Sequence, residues 1–252
     1  MSEIIDGYRH CGLSKYRPIE DVRDNMDALE ISRAVLAQHL GEFDNTYIAD
    51  IVAGEPDRYA GVMLIDVDGA NPDEQLTALA ATGIFRGSRF RAETLQSHPA
   101  IWDLAADLGF NIVVHAEPTI AVYTNEIAAF VQRHAQTNLV VTHLGIMDPE
   151  AASRSDCHER IASLANQPNV FMQLSGFHMF SRPPFNDLLP LVERIIESFE
   201  PGRLLYGSNY PLPTDLSVCR AELDLLHSGH FGVPAEAVHQ IMYRTAWDLW
   251  FA

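Results

Sequence analysis

The chain has little cysteine. Its three cysteines, Cys11, Cys157 and Cys219, are widely scattered. That spacing excludes a disulfide framework and a zinc knuckle, and it fits a reducing compartment. Basic charge is also scarce: 17 Lys and Arg stand against 34 Asp and Glu, for a formal charge of −17. Such a balance excludes nucleic acid and anionic membrane surfaces as partners. An anionic small molecule stays open, because a local arginine cluster reverses the field inside a pocket. No apolar run approaches the ~20 residues of a membrane span. The opening Met1-Ser2-Glu3-Ile4-Ile5-Asp6 has neither a basic nor an apolar leader segment, so no signal peptide is expected and a cytoplasmic location is. A glycine-rich G-x-G-x-x-G loop after the first strand, usual in an open doubly wound sheet, is missing too.

What is present is a repeat of short apolar runs and longer amphipathic stretches. Its 252 residues suit one (β/α)8 barrel, and 47% apolar residues suffice for a full core. Strands are predicted to begin at Ile4-Ile5 and to span 33–38, 61–66, 84–90, 111–115, 138–143 and 169–175. The eighth is the run Leu204-Leu205-Tyr206. Helices are predicted at 19–29, 72–81, 99–108, 124–135, 156–165, 185–198, 217–226 and 235–249, with an amphipathic stretch at 45–53. Continuously apolar strands point to burial on both faces, as in a parallel sheet. No linker or low-complexity segment interrupts the pattern, so residues 1–252 read as a single α/β domain, a (β/α)8 TIM barrel.

Strand after strand ends in a residue able to do chemistry. Tyr8 and His10 close the first, Arg89 and Arg91 the fourth, and His115 the fifth. His143 closes the sixth, His178 follows the seventh, and Asn209 follows the eighth. A lone histidine at a strand end is more often structural, but in a barrel these ends converge on one cavity. Arg89 and Arg91 share a strand face, opposite Arg86. Either one suits a bidentate carboxylate clamp. Gln38, His39 and Asp66 also fall at strand ends and read equally as structural. The remaining histidines (His98, His134, His158, His227, His230 and His239) read, with His39, as solvated or local. The segment Gly176-Phe177-His178-Met179-Phe180-Ser181-Arg182-Pro183-Pro184 reads either as an aromatic pocket wall or as a packed surface loop. Trp247, Leu249, Trp250 and Phe251 read as core packing or as a contact in a homo-oligomer.

Together these stretches resemble the amidohydrolase-related hydrolases. The likeness is greatest to the lactonases of pyrone-dicarboxylate and of sugar lactones, and more distant to aminocarboxymuconate-semialdehyde decarboxylase. Ile4-Ile5-Asp6-Gly7-Tyr8-Arg9-His10 resembles the opening I-D-x-H-x-H of that family. Phe85-Arg86-Gly87-Ser88-Arg89-Phe90 resembles R-G-x-R, Thr142-His143-Leu144-Gly145 resembles D-H-x-G, and Leu174-Ser175-Gly176 resembles K-L-S-G. Arg203-Leu204-Leu205-Tyr206-Gly207-Ser208-Asn209-Tyr210-Pro211 resembles R-L-L-x-G-S-D-x-P. In metal-dependent members the matching positions bind a divalent ion. Here those positions hold Tyr8, His10, His115 and Asn209, and neutral tyrosine and asparagine are poor ligands.

The resemblance therefore implies a metal-independent hydrolase with no cofactor. Its expected substrate is a small, carboxylated, anionic lactone, opened by water attack on the ring carbonyl. The expected catalytic residues are Asn209, His143, His115, Tyr8 and His10. Arg89, Arg91, His178, Arg182 and Tyr210 are expected to bind substrate. In that branch the final aspartate serves as the base, but a carboxamide lacks useful basicity. Three readings of Asn209 stand: an introduced Asp→Asn change, a native asparagine with His115 or His143 as the base, or a barrel that binds without turnover. A metal-assisted hydrolase or decarboxylase, with zinc or manganese held weakly by His10 and His115, is the alternative enzyme.

Overall fold

The computed structural model describes residues 3–148, 150, 154–213 and 215–252. Eight strands form one sheet in sequential order, every neighbouring pair parallel. They are β1 (Ile5–Arg9), β2 (Arg33–Ala37), β3 (Tyr59–Met63), β4 (Phe85–Arg91), β5 (Asn111–His115), β6 (Leu139–Val141), β7 (Val170–Ser175) and β8 (Leu204–Gly207). Helices between them cover the outer face, giving a nearly closed (β/α)8 barrel.

The closure between β8 and β1 positions the site. Two backbone bonds at the carboxyl rim join these strands: Asn209 N–H to Tyr8 O at 2.9 Å and His10 N–H to Tyr210 O at 2.8 Å. The buried Asp6 carboxylate reinforces the seam. Its Oδ1 accepts the backbone N–H groups of Tyr8 (3.1 Å) and Ser208 (2.9 Å), and its Oδ2 accepts Arg9 Nε at 2.6 Å. Gly7 is required at this seam, because a Cβ there would stand 2.8 Å from Leu205 Cδ1 and from Tyr206 O.

Within β1 the register against β2 shifts between Asp6 and Arg9. A bulge of this kind re-aims side chains. Tyr8 and His10 turn toward the barrel axis, where their rings meet. Arg9 turns outward and donates to Val22 O and Asn25 Oδ1 of the helix Ile19–Ala28.

The lower barrel is filled by Ile5, Val35, Val62, Val113, Val140 and Leu205. The helix Thr245–Trp250 plugs its amino-terminal mouth, with Asn111 Nδ2 donating to Leu249 O at 2.6 Å. Trp250 lies so close to β4 that a Cβ on Gly87 would be 2.9 Å from its ring. Leu249 and Trp250 are thus core residues, whereas Trp247 and Phe251 are half-buried. No helix among the described residues is long and apolar enough to cross a membrane.

Several elements differ from the sequence expectation. The third strand was expected at 61–66 but spans Tyr59–Met63. Asn45 takes the place of a strand partner at Leu64, accepting its N–H (3.1 Å) and donating to its carbonyl (2.9 Å), and the ladder stops there. The sixth ends early because His143, Leu144 and Gly145 adopt left-handed φ values of 53°, 58° and 75°. The closing helix is broken into Ala235–His239, a π-helical turn Gln240–Arg244, and Thr245–Trp250. Thr245 ties this break to the barrel by donating its hydroxyl to Pro201 O. The short helix Phe177–Phe180 was not expected.

Removing the Asp6 carboxylate leaves a buried guanidinium and two strand-end N–H groups without their partner. Asp6→Ala is expected to cost about 3–5 kcal/mol and to lower the melting temperature by roughly 10 °C. Urea unfolding and a thermal melt check this, and a loss below about 1 kcal/mol would show that Asp6 does not hold the seam.

Candidate active site

The carboxyl ends of five strands bring Tyr8, His10, Arg89, His115, His143 and Asn209 together inside the barrel mouth. All are buried, none more than 4% exposed. The Tyr8 ring is the hub. His10 meets it edge-on at 4.9 Å between centroids, His143 at 5.2 Å, and the Arg89 guanidinium lies 5.4 Å from its centre. Tyr16 stacks on His10 at 5.0 Å, and Met179 Sδ lies 3.1 Å from Asn209 Nδ2. These two residues cover the group from the solvent side.

Local backbone bonding sets each side chain. Asn209 has φ 56°, a left-handed conformation that asparagine tolerates better than most residues. His10 Nδ1 is 2.6 Å from Ala37 O. A carbonyl only accepts, so Nδ1 carries the proton and Nε2 keeps its lone pair. Ser175 Oγ accepts the His143 backbone N–H at 3.1 Å and lies 3.0 Å from His143 Nδ1. A serine hydroxyl can both give and accept, so this contact orients the His143 ring with either tautomer. The Tyr8 hydroxyl, Arg89 Nε and Asn209 Oδ1 are buried without a hydrogen-bond partner among the described residues, and His115 has at most a weak contact with the Phe90 backbone.

The field is set by Arg89. Its Nη1 donates to Gln38 O at 2.9 Å, and no described carboxylate forms an ion pair with it. Burial first, then the Arg89 charge, holds His10 and His115 well below the usual imidazole range and brings His143 to about 3. Burial also pushes the Tyr8 phenol up to about 12, against the pull of Arg89. The three imidazoles and the phenol are therefore neutral near pH 7. Among the described residues, no three His, Cys, Asp or Glu side chains form a group able to hold a metal ion.

Other expected residues fall elsewhere. Arg91 is half-exposed at the rim, bridged to Glu93 and, at 3.8 Å, to Glu117. With Arg89, Phe43, Asp66 and His98 it borders a cavity of about 440 Å³ beside the buried group. Arg182 is exposed beyond the helix Phe177–Phe180, and its side chain reaches the His178 carbonyl at 3.5 Å. Tyr210 faces away from the group, and its ring lies 5.2 Å from the Arg9 guanidinium. Neither Arg182 nor Tyr210 joins the group. His39 and His158, read as solvated or local, are buried, and His39 lies edge-on to Tyr16 at 4.8 Å.

His178 pairs with a residue that sequence reasoning missed. Glu222 Oε1 accepts both the His178 backbone N–H and Nδ1–H, each at 2.7 Å. The signal was present: Cys219, Glu222, Leu223 and Leu226 form one buried helical stripe, and Glu222 is its charged member.

A (β/α)8 barrel with histidines and an arginine buried at its carboxyl rim defines the class. The chain belongs to the Amidohydrolase family, whose model matches residues 6–252, and it is a hydrolase of that superfamily. No curated protein matches it. Among solved structures it is similar to a probable 2-pyrone-4,6-dicarboxylic acid hydrolase from Acinetobacter baumannii with citric acid bound. That pair has a TM-score of 0.77 and 17% identity over 98% of both chains. A Pseudomonas putida protein provisionally assigned the same activity aligns with TM-score 0.77 and 18% identity, over 99% of this chain and 97% of that one. An amidohydrolase from Burkholderia multivorans with bound zinc aligns with TM-score 0.75 and 17% identity, over 98% and 99%. At these identities the likeness shows the fold alone.

The depressed imidazoles make folding pH-dependent. Unfolded histidines bind protons below about pH 6.5, whereas the folded ones stay neutral. Their contribution to stability is therefore complete above that pH and is lost as the pH falls toward about 3 for His143. His143→Gln is expected to flatten the fall in urea-unfolding free energy just below pH 6.5, by up to ~1.4 kcal/mol per pH unit. An unchanged slope would place His143 in water when folded.

Proposed function

We propose that this hydrolase opens a small carboxylated lactone by attack of water on the ring carbonyl, without a metal. The observation that carries this reading is Arg89, a buried guanidinium with no carboxylate partner among the described residues. Burying an unpaired charge costs several kcal/mol. An incoming carboxylate offsets that cost through bidentate charge-assisted bonds. The cavity of about 440 Å³ beside Arg89 and Arg91 leaves room for the rest of a small ring. The names of the A. baumannii and P. putida neighbours point to a dicarboxylate lactone of this kind, and the first binds citric acid.

Around that anchor the neutral groups divide the work. The Tyr8 hydroxyl and, as the Nε2–H tautomer, His143 donate to the carbonyl oxygen as it gains charge. One such donor is worth about 2.7–4 kcal/mol in an enclosed site. His115, with no side-chain partner among the described residues, and His10, through its Nε2 lone pair, complete the substrate's polar surroundings. Asn209 occupies the aspartate position of the resembled pattern, and its unpartnered Oδ1 accepts from the attacking water.

The donor set does not fit the zinc that the B. multivorans relative carries. Two imidazoles remain, Tyr8 holds its proton up to about pH 12, Asn209 is neutral, and Arg89 repels a cation. No step is routed through a metal.

Hydrolysis of a panel of carboxylated and uncarboxylated lactones, with and without a chelator, tests the reading. Turnover is expected for carboxylated lactones only and should be unchanged by chelator. Arg89→Met should lower kcat/KM for them by roughly 10²-fold or more. Loss of activity on chelation, with recovery on adding metal, would refute the metal-free reading. Equal turnover of uncarboxylated lactones would refute the role of Arg89.

A further inference from the structure

A carboxamide at 209 leaves the site without an evident proton acceptor. The rim histidines differ sharply in their fitness for that task. His143 is engaged with the Ser175 hydroxyl at Nδ1, is deeply buried and faces Arg89, with no carboxylate bonded to it among the described residues. His115 has no side-chain partner to orient it among the described residues. Burial first, then the facing Arg89, opposes any positive charge on His10 and His115. His178 alone among these histidines has a carboxylate bonded to it.

We propose that His178 Nε2 is the general base of this site, with Glu222 as its positioning residue. The inference rests on the hydrolase reading above and deepens it. Glu222 is 1% exposed, and its Oε1 receives the Nδ1–H of His178 at 2.7 Å. That bond fixes the tautomer and leaves the lone pair on Nε2, the arrangement of the carboxylate–imidazole half of a catalytic triad. The same oxygen also receives the His178 backbone N–H, so ring and main chain are held together. His178 Nε2 is buried and unpartnered.

The segment carrying His178 forms a wall of the site. A Cβ on Gly176 would lie 2.9 Å from His143 Nδ1 and 3.0 Å from Met179 Sδ, so this turn presses directly on His143. Met179, the next residue after His178, reaches Asn209. The charged and titratable groups facing His178 are Glu222 from the helix Leu216–His227, His143 from the end of β6, and Arg182 at its carbonyl. In the step proposed, the water oxygen bonds to the lactone carbonyl carbon while one water proton passes to His178 Nε2. The imidazolium is stabilised by Glu222 as the carbonyl oxygen becomes an oxyanion facing Tyr8 and His143. Collapse of that adduct restores the carbonyl and breaks the ring C–O bond. His178 returns its proton to the departing ring oxygen, giving the open hydroxy acid with one water added.

The test combines kinetics with imidazole NMR on the full-length protein. His178→Ala should lower kcat for a carboxylated lactone by roughly 10²–10⁴-fold, and added imidazole should restore part of it. Glu222→Gln should lower kcat with little change in KM and move the acid limb of the pH–kcat profile to lower pH. Full activity in His178→Ala would overturn the base assignment and leave the lactonase reading standing. A loss that imidazole does not relieve, with an unmoved pH limb in Glu222→Gln, would reduce the pair to a structural contact and also overturn it. Inertness of the wild type toward every lactone would remove the substrate reading. The base assignment is then decided by NMR, which should show His178 protonated at Nδ1 and bare at Nε2 near pH 7; the reverse tautomer overturns it.

Discussion

The architecture of the site depends on one carboxylate that takes no part in the chemistry. Asp6 is wholly buried and gathers three donors: the backbone of Tyr8, the backbone of Ser208 and the Arg9 guanidinium. Through the first it holds the bulge of β1, and through the second it draws the end of β8 against β1. Through Arg9 it fixes the helix Ile19–Ala28 to the same seam. Without that convergence Tyr8 and His10 would not both face the axis, and Asn209 would not stand beside them. A buried ion pair is weak support for net stability, but this one specifies where three chains of hydrogen bonds cross.

The second organising effect is a buried positive charge among neutral polar groups. Arg89 lies in contact with the Tyr8 ring and adds to burial, the larger cause, in suppressing protonation of three imidazoles. In water such a charge is cheap. Within a closed barrel it becomes a site-wide bias against cations and in favour of anions. The bias divides the histidines by location: those facing Arg89 remain neutral, whereas His178, backed by Glu222, has a built-in counter-charge.

Much of this was legible in the sequence because parallel barrels obey a simple grammar. Apolar runs buried on both faces marked all eight strands, and the residue ending each run marked the rim. Tyr8, His10, Arg89, His115, His143 and Asn209 were found in this way. What escaped detection depends on contacts between distant segments. Asn45 truncates β3 by capturing Leu64, 19 residues away. Tyr210 follows Asn209 yet lies against Arg9, about 200 residues earlier in the chain. The Glu222–His178 pair joins residues 44 apart, and only the charged member of an otherwise apolar stripe hinted at it. Of the two family-defining positions that changed chemistry, Tyr8 and Asn209, the second was legible as a letter but not as a role.

The helix Thr245–Trp250 has a bearing on how the molecule is made. It fills the amino-terminal mouth of a barrel whose eight strands all precede it, and Trp250 rests on β4 at Gly87. During synthesis, β1 to β8 leave the ribosome before the side chains that complete their interior. The inner core therefore cannot close vectorially, strand by strand. The emerging chain must keep an apolar, solvent-accessible throat until this helix is released and docks. The final commitment of this barrel to the native state waits on a helix that follows all eight strands, and molecules cut short before that helix would expose the throat as a ready surface for aggregation.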